Sequence, residues 1–244
     1  MKRPMNRSRL LIPIFLGLFL SIPGYSIAAQ KSYVDSIEIN LSLLLPPPPS
    51  QTGPQTKAEI DEILGYQHTR TKAEADFAFA DQQVSVFRFA DVLGPAFNKN
   101  SCPFADSFFK AALKDAGNVV EAGKEYWKRP RPYIWDTLDK PCIDKPPLSS
   151  FSYPSGHSAA GTLCAILLAR MVPEKRAALF DRGWAFARNR VIGGVHYRSD
   201  IESGRIAGTL IAARMFESEA FREDFARARA EIRRVLKYED TSSK

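Results

Sequence analysis

The chain is poor in the residues that most chemistry relies on. Histidine occurs only as His68, His157 and His196, and cysteine only as Cys102, Cys142 and Cys164, in 244 residues. Neither His157 nor His196 has another histidine or a carboxylate three or four residues away, apart from Asp200 after His196. That spacing argues against a protein-held metal and points to no cofactor. No glycine-rich strand-to-helix junction of the dinucleotide type is present, and no Gly-x-Ser-x-Gly elbow that would mark an acyl-transfer hydrolase. Alternating β-branched runs are scarce, which excludes a sheet-based fold. No run of like charge recommends a nucleic-acid polymer as partner. Apolar runs are short as well: the longest, 10–22, falls below the roughly 20 residues needed to cross a bilayer.

That run has its own meaning. Lys2, Arg3, Arg7 and Arg9 precede it, Pro23-Gly24 ends it, and Ser26-Ile27-Ala28 follows with small residues. This is the layout of a secretory signal peptide over 1–28. Cleavage would lower the formal charge from +7 to +3 and leave a periplasmic or secreted protein with no membrane insertion. Export would also let disulfides form. Cys102 and Cys142 lie in proline-containing loop sequence and are the expected pair, with Cys164 inside a helical pattern as a buried small hydrophobe. An odd count leaves connectivity open.

The segment 29–55 carries Leu43-Leu44-Leu45 and four prolines, 46–49, and reads as an extended strap. From 56 to 244 the periodicity is helical, with helices expected over about 57–64 and 71–91, from 103 to before Arg129-Pro130, after Ser155, from Pro173 to about Arg190, and from near Ser199 and near Glu217. The expected fold is all-α, a compact single-domain helical bundle.

Three places concentrate unusual residues. In Lys124-Glu-Tyr-Trp-Lys-Arg-Pro-Arg131-Pro132 a helix must end, because a residue before proline leaves helical geometry. Lys124 falls in its last turn and Arg131 in a stiff exit. In Pro154-Ser155-Gly156-His157, Ser155 is a natural N-cap and the helix start offers unpaired N–H groups to an anion. Gly156 lets the backbone come close to a ligand, and His157 stands beside it. In Arg190-Val-Ile-Gly193-Gly194-Val-His196-Tyr-Arg-Ser-Asp200 the glycines interrupt one helix, and Ser199 with Glu202 forms a capping box for the next. His196 lies between them, with Asp200 placed to accept from one ring nitrogen so that the other keeps its lone pair.

Taken one at a time, these read as a solvated basic helix end, a capped helix with a surface histidine and a satisfied loop histidine. Together, Lys124-x6-Arg131-Pro132, Pro154-Ser155-Gly156-His157 and Arg190-x5-His196-x3-Asp200 resemble the signature of the type 2 phosphatidic acid phosphatase superfamily. Within it the chain is similar to bacterial class A non-specific acid phosphatases, which also share the Leu-Leu-Pro-Pro-Pro-Pro opening. One position departs: the family's serine before Arg190 is Asn189 here. The resemblance implies that Lys124, Arg131, Arg190, Ser155 and Gly156 bind phosphate. It further implies that His196 attacks phosphorus, Asp200 orients it, and His157 protonates the leaving group, with phosphate monoesters as substrates. A bell-shaped pH profile on the acid side follows.

Rival readings are a vanadate-dependent haloperoxidase, which shares such a pocket, a lipid phosphate phosphatase, and a non-catalytic phosphate-binding protein. His68, in Gln67-His68-Thr69-Arg70, lacks the surrounding residues of histidine acid phosphatases and is taken as structural. Tyr133, Trp135, Phe151 and Tyr153 are candidates for an aromatic pocket mouth or for packing. The reading leaves a homodimer open.

Overall fold

Helix ends are set by local chemistry that the sequence displays, and these ends place the site. In the computed structural model, residues 32–138 and 140–238 are described; the expected signal peptide lies outside them. The helices are α1 (Leu41–Leu44), α2 (Pro54–Thr69), α3 (Lys72–Ala80), α4 (Ala90–Leu93), α5 (Pro103–Trp127), α6 (Gly156–Met171), α7 (Arg176–Ile192), α8 (Arg198–Met215) and α9 (Glu219–Leu236). No strand occurs among the described residues, so the fold is all-α. These residues belong to one compact unit.

Expectations about several elements change: the helix expected over 57–64 is the longer Pro54–Thr69, and Pro173, expected to open a helix, opens a 3-10 turn (Pro173–Lys175) before Arg176–Ile192. The strap contains a helical turn, α1, started by the Asn40 side chain accepting from Ser42 N–H, before the prolines extend the chain. The helix expected over 71–91 is three pieces: α3 stops at Asp81, a turn follows, and Ser85 caps a 3-10 turn at Val86–Phe89 that leads into α4. In place of the capping box expected from Ser199 and Glu202, the Asp200 carboxylate alone caps the start, accepting from the Tyr197 N–H at 2.9 Å. The helix starts two residues earlier than read, with Tyr197 at the N-cap, so α8 begins at Arg198.

The central element is α6. Eleven of its residues are buried, and α7, α8 and α5 pack around it. Two glycines of α8 make the closest approach possible. A Cβ on Gly204 would sit 2.4 Å from the Ser155 carbonyl, and one on Gly208 would sit 2.5 Å from that of Ala159. The first turn of α6 is thereby pressed onto α8, beside His196 and Asp200. Elsewhere α5 runs against α6 and α9, with Phe108, Phe221 and Tyr33 in mutual ring contact. Tyr33 and Val34 donate their N–H groups to the buried Asp115 carboxylate, which ties the N-terminal segment to α5.

All three cysteines are free, and the expected Cys102–Cys142 bond is absent. Cys102 is in the main core at the start of α5, whereas Cys142 packs with Ile143, Ile192 and Val195 in a separate cluster. Burial pushes the Cys102 thiol up to about 11 and Cys164 up to about 12, so neither is a ready thiolate.

Candidate active site

Backbone links draw the three segments together before any side chain is considered. Helix α5 ends at Lys128, which is left-handed, and the chain then runs through Arg129-Pro130-Arg131-Pro132. Ser152 N–H donates to the Arg129 carbonyl at 2.9 Å, joining this exit to the approach to α6. Ser155 N–H donates to the Asp200 carbonyl at 2.9 Å, joining the start of α6 to the start of α8. Val195 N–H donates to the Arg190 carbonyl at 3.1 Å, closing the loop that carries His196.

His196 is almost fully buried, and its partners fix its tautomer. Nε2 lies 3.0 Å from Arg131 Nη1, which is only a donor, so Nε2 must accept. The ring proton is therefore on Nδ1, 3.2 Å from Asp200 Oδ2, where it is donated to the carboxylate. Burial, followed by the fields of Arg131, Arg190, Lys124 and Arg129, holds the imidazole well below its usual pKa and keeps it neutral. The result is a neutral imidazole whose Nε2 lone pair lies among cations.

Asp200 is inaccessible to solvent and accepts from Arg129 Nη1 at 2.7 Å in addition to Tyr197 N–H and His196. Arg129 also donates to Ser199 Oγ, Thr56 Oγ1 and Glu59 Oε2, and lies over the Tyr197 ring at 4.0 Å. Sequence reading missed Arg129, although it stands inside the first segment; its position one residue before a proline was the available signal. Burial opposes the Arg129 charge, but Asp200 and Glu59 outweigh it and hold its pKa up.

His157 Nε2 lies 3.0 Å from the Gln82 carbonyl, which can only accept, so this nitrogen carries a proton. Its ring stacks on Phe186. Burial, then Arg190, push its pKa well down, with His196 and Arg131 adding to this and the Gln82 bond opposing it. Ser155 caps α6 by accepting from Ser158 N–H and keeps its own hydroxyl proton for another partner. A Cβ at Gly156 would meet only Val120, at 3.7 Å, so packing alone does not demand glycine there.

Arg190 is buried with Nε and Nη1 lacking any hydrogen-bond partner among the described residues. Burial and Arg131 lower its pKa to about 9. Leaving such donors unsatisfied costs about 1–3 kcal/mol per group, which an anion would recover. Arg131 is braced by Ser150, its Nε donating to the carbonyl at 2.6 Å. Lys124 pairs with Glu121 at 3.1 Å with its side chain 11% exposed, and its charge reaches His196. Asn189 turns its amide to the buried Asp81 carboxylate at 2.7 Å.

Of the remaining candidates, Tyr133 stands near Arg131, whose charge opposes the upward push of burial on the phenol. Tyr153 is packed, its hydroxyl bonded to the Pro46 carbonyl and to Ser203, so it is no part of a mouth. Trp135 donates to the Tyr197 hydroxyl, and Tyr133 to the Pro146 carbonyl. Phe151 is partly buried. His68 is exposed in the last turn of α2. Among the described residues no group of three or more His, Cys, Asp or Glu could hold a metal, and no helix is long and apolar enough to cross a membrane.

This geometry can be set beside known proteins. Residues 108–223 match the model of the PAP2 superfamily. A non-specific acid phosphatase of Salmonella typhimurium is 30% identical over 93% of each chain. An acid phosphatase of Zymomonas mobilis is 28% identical over 90% of this chain and 85% of its own. In fold, the chain is similar to a transmembrane PAP2-type phosphatidylglycerolphosphate phosphatase from Bacillus subtilis (TM-score 0.51, 15% identity, 68% of this chain and 87% of that one). It is also similar to a bacterial vanadium-dependent iodoperoxidase (TM-score 0.53, 21% identity, 71% of this chain and 52% of that one). With the Salmonella typhimurium acid phosphatase 30% identical over 93% of each chain and the PAP2 match over 108–223, the chain belongs to the PAP2 superfamily and is an acid phosphatase.

Proposed function

We infer that the chain hydrolyses phosphate monoesters in water through a phosphohistidine on His196. The observation that carries this reading is the tautomer of His196, whose proton is on Nδ1 toward Asp200 and whose lone pair is on Nε2 beside Arg131. Arg131, Arg190 and Lys124 hold the phosphoryl oxygens, joined by Ser155 and the Gly156 N–H at the start of α6. The glycine serves the ligand's approach, since no protein neighbour requires it.

In the first step the Nε2–phosphorus bond forms as the ester P–O bond breaks, and His157 gives its Nδ1 proton to the departing alkoxide. Nδ1 is assigned because Nε2 is engaged by Gln82. In the second step the now neutral His157 takes a proton from water, which attacks phosphorus and releases inorganic phosphate and His196. The cations balance the charge on the phosphoryl group throughout, and three of them do this without a protein-held metal. Proton donation by His157 contributes about 10²–10⁴ in rate.

The pKa of His157 is depressed when no phosphate is bound, so a bound dianion must raise it for the acid role. Activity then falls as pH rises and the proton is lost, which places the optimum on the acid side. Residues 1–28 are read as a cleaved export signal, 29–55 as the strap and 56–244 as the catalytic domain. The fold alone is also compatible with haloperoxidase or lipid phosphatase chemistry.

The test is His196→Ala in purified mature protein, assayed with chelator against nucleotides, sugar phosphates and aryl phosphates. Loss of turnover with inorganic phosphate binding retained, and loss of an acid-labile phosphoenzyme, support the reading. Retained turnover, or halide oxidation with vanadate and peroxide as the main activity, refutes it.

A further inference from the structure

We propose that Asp81 is a positioning residue for the two arms of the pocket, holding the Gln82 carbonyl on His157 and the α7 turn that carries Arg190. The inference rests on the roles given above to His157 and Arg190. Nothing in the family signature points to Asp81, which ends α3 and is distant in sequence from all three segments.

Asp81 is inaccessible to solvent, and its two oxygens accept four donors. Oδ1 takes Arg182 Nη2 at 2.7 Å and Arg88 Nε at 2.8 Å. Oδ2 takes Asn189 Nδ2 at 2.7 Å and Arg182 Nη1 at 2.9 Å. A carboxylate has about four such acceptor sites, so its capacity is filled. Arg182 is braced from behind by Asp91 at 2.6 Å and the Arg88 carbonyl at 3.2 Å.

Two neighbours in sequence turn this knot toward the chemistry. Gln82 follows Asp81, and its carbonyl accepts from His157 Nε2; its side chain holds Asp144 N–H at 2.6 Å. Asn189 precedes Arg190, whose guanidinium is buried with two unpartnered nitrogens. One carboxylate thus fixes the group that favours a charged His157 and the backbone from which Arg190 reaches. It is also the anion that sustains the Arg190 charge against burial and Arg131. The asparagine that replaces the family's serine is what makes the second link.

The alternative is a buried ion network that serves stability alone, and the experiment separates the two. Asp81→Asn keeps the volume and removes the charge, while Asp91→Asn loosens Arg182 on its solvent side without reaching Gln82 or Asn189. Both are compared with wild type for Tm, kcat, inhibition by vanadate and the His157 titration followed by NMR. For Asp81→Asn, kcat falls by about tenfold or more, as small displacements of reacting groups do. Vanadate inhibition weakens as well. The groups facing His157 are Gln82, Arg190, His196 and Arg131, and only Gln82 favours the imidazolium. The alkaline limb of kcat therefore moves to lower pH. Asp91→Asn lowers Tm without these changes.

If Asp81→Asn lowers Tm but leaves kcat, vanadate inhibition and the alkaline limb as in wild type, the proposal is wrong. Should that variant not fold, Asn189→Ala cuts only the arm to Arg190: weakened vanadate inhibition supports the proposal and unchanged inhibition overturns it. Full turnover in both His196→Ala and Arg190→Met would instead refute the catalytic reading. The two failures are therefore distinguishable.

Discussion

Replacing Asp200 by asparagine is the sharpest test of how His196 is prepared. The shape is kept, but a group with two accepting oxygens becomes one with a single oxygen and an amide donor. Oδ1 now accepts from Arg129, and Oδ2 accepts from Tyr197 N–H and His196 Nδ1–H. If the asparagine oxygen takes the Oδ2 position, its amide faces the Arg129 guanidinium, donor against donor. If it takes the Oδ1 position, the amide faces the imidazole and Tyr197 N–H. His196 must then move its proton to Nε2, removing the lone pair from the side of Arg131. The protein has to choose between a strained arginine and a wrong tautomer. Arg129 retains Glu59, so the first arrangement costs less than a fully broken buried pair, about 1–3 kcal/mol. The second lowers kcat by about 10⁴, as in other enzymes whose orienting aspartate is made asparagine. We expect a kcat loss between about 10² and 10⁴ with inorganic phosphate binding nearly intact, because the substitution touches no phosphate-holding cation. Single-turnover formation of the acid-labile phosphoenzyme reads this directly. A variant whose phosphoenzyme forms within tenfold of the wild-type rate would show that Asp200 does not set the tautomer.

Two further outcomes follow from the same geometry. His157 and His196 have folded pKa values well below the unfolded value of about 6.5, so their contribution to stability is complete above that pH and is lost as pH falls and the unfolded chain takes up protons. Added phosphate or vanadate should move the His157 titration upward in NMR and raise Tm in acid; a His157 titration indifferent to phosphate would remove it as the acid. Gly204→Ala forces a Cβ to 2.4 Å from the Ser155 carbonyl, and should cost about 1–3 kcal/mol in denaturant unfolding while weakening phosphate inhibition. Unfolding and inhibition both like wild type would mean that α6 and α8 are not held at the distance described.

What the sequence shows and what it hides divide along a physical line. The three segments were legible because each marks a helix end with its own local signal: prolines after Arg129, a serine cap that starts a helix at 155, and glycines before His196. Helix starts at Pro103 and Gly156 follow from the same local rules, whereas Pro173 opens only a 3-10 turn before α7 begins at Arg176. Hidden were residues whose role exists only after folding. Arg182 and Asp81 are 101 positions apart, and Glu59 and Arg129 are 70 apart, so no periodicity could pair them. The Gln82 carbonyl is a backbone group and has no sequence signature. The Cys102–Cys142 expectation failed for the same reason, since loop character says nothing about which cluster a thiol joins.

The hidden residues share one property. The groups proposed to meet phosphate are cations and imidazoles, and carboxylates stand one step behind several of them: Asp200 behind His196, Glu59 and Asp200 behind Arg129, and Asp81 behind Arg182 and the Asn189 that precedes Arg190. A pocket crowded with positive charge is costly to bury unless anions stand behind it. Arg190 shows the remainder, with its pKa lowered to about 9 because its neighbours do not fully compensate it. On the proposed reading that deficit is what draws an anion: placing one more carboxylate against Arg190 is expected to stabilise the free protein and to weaken inhibition by phosphate.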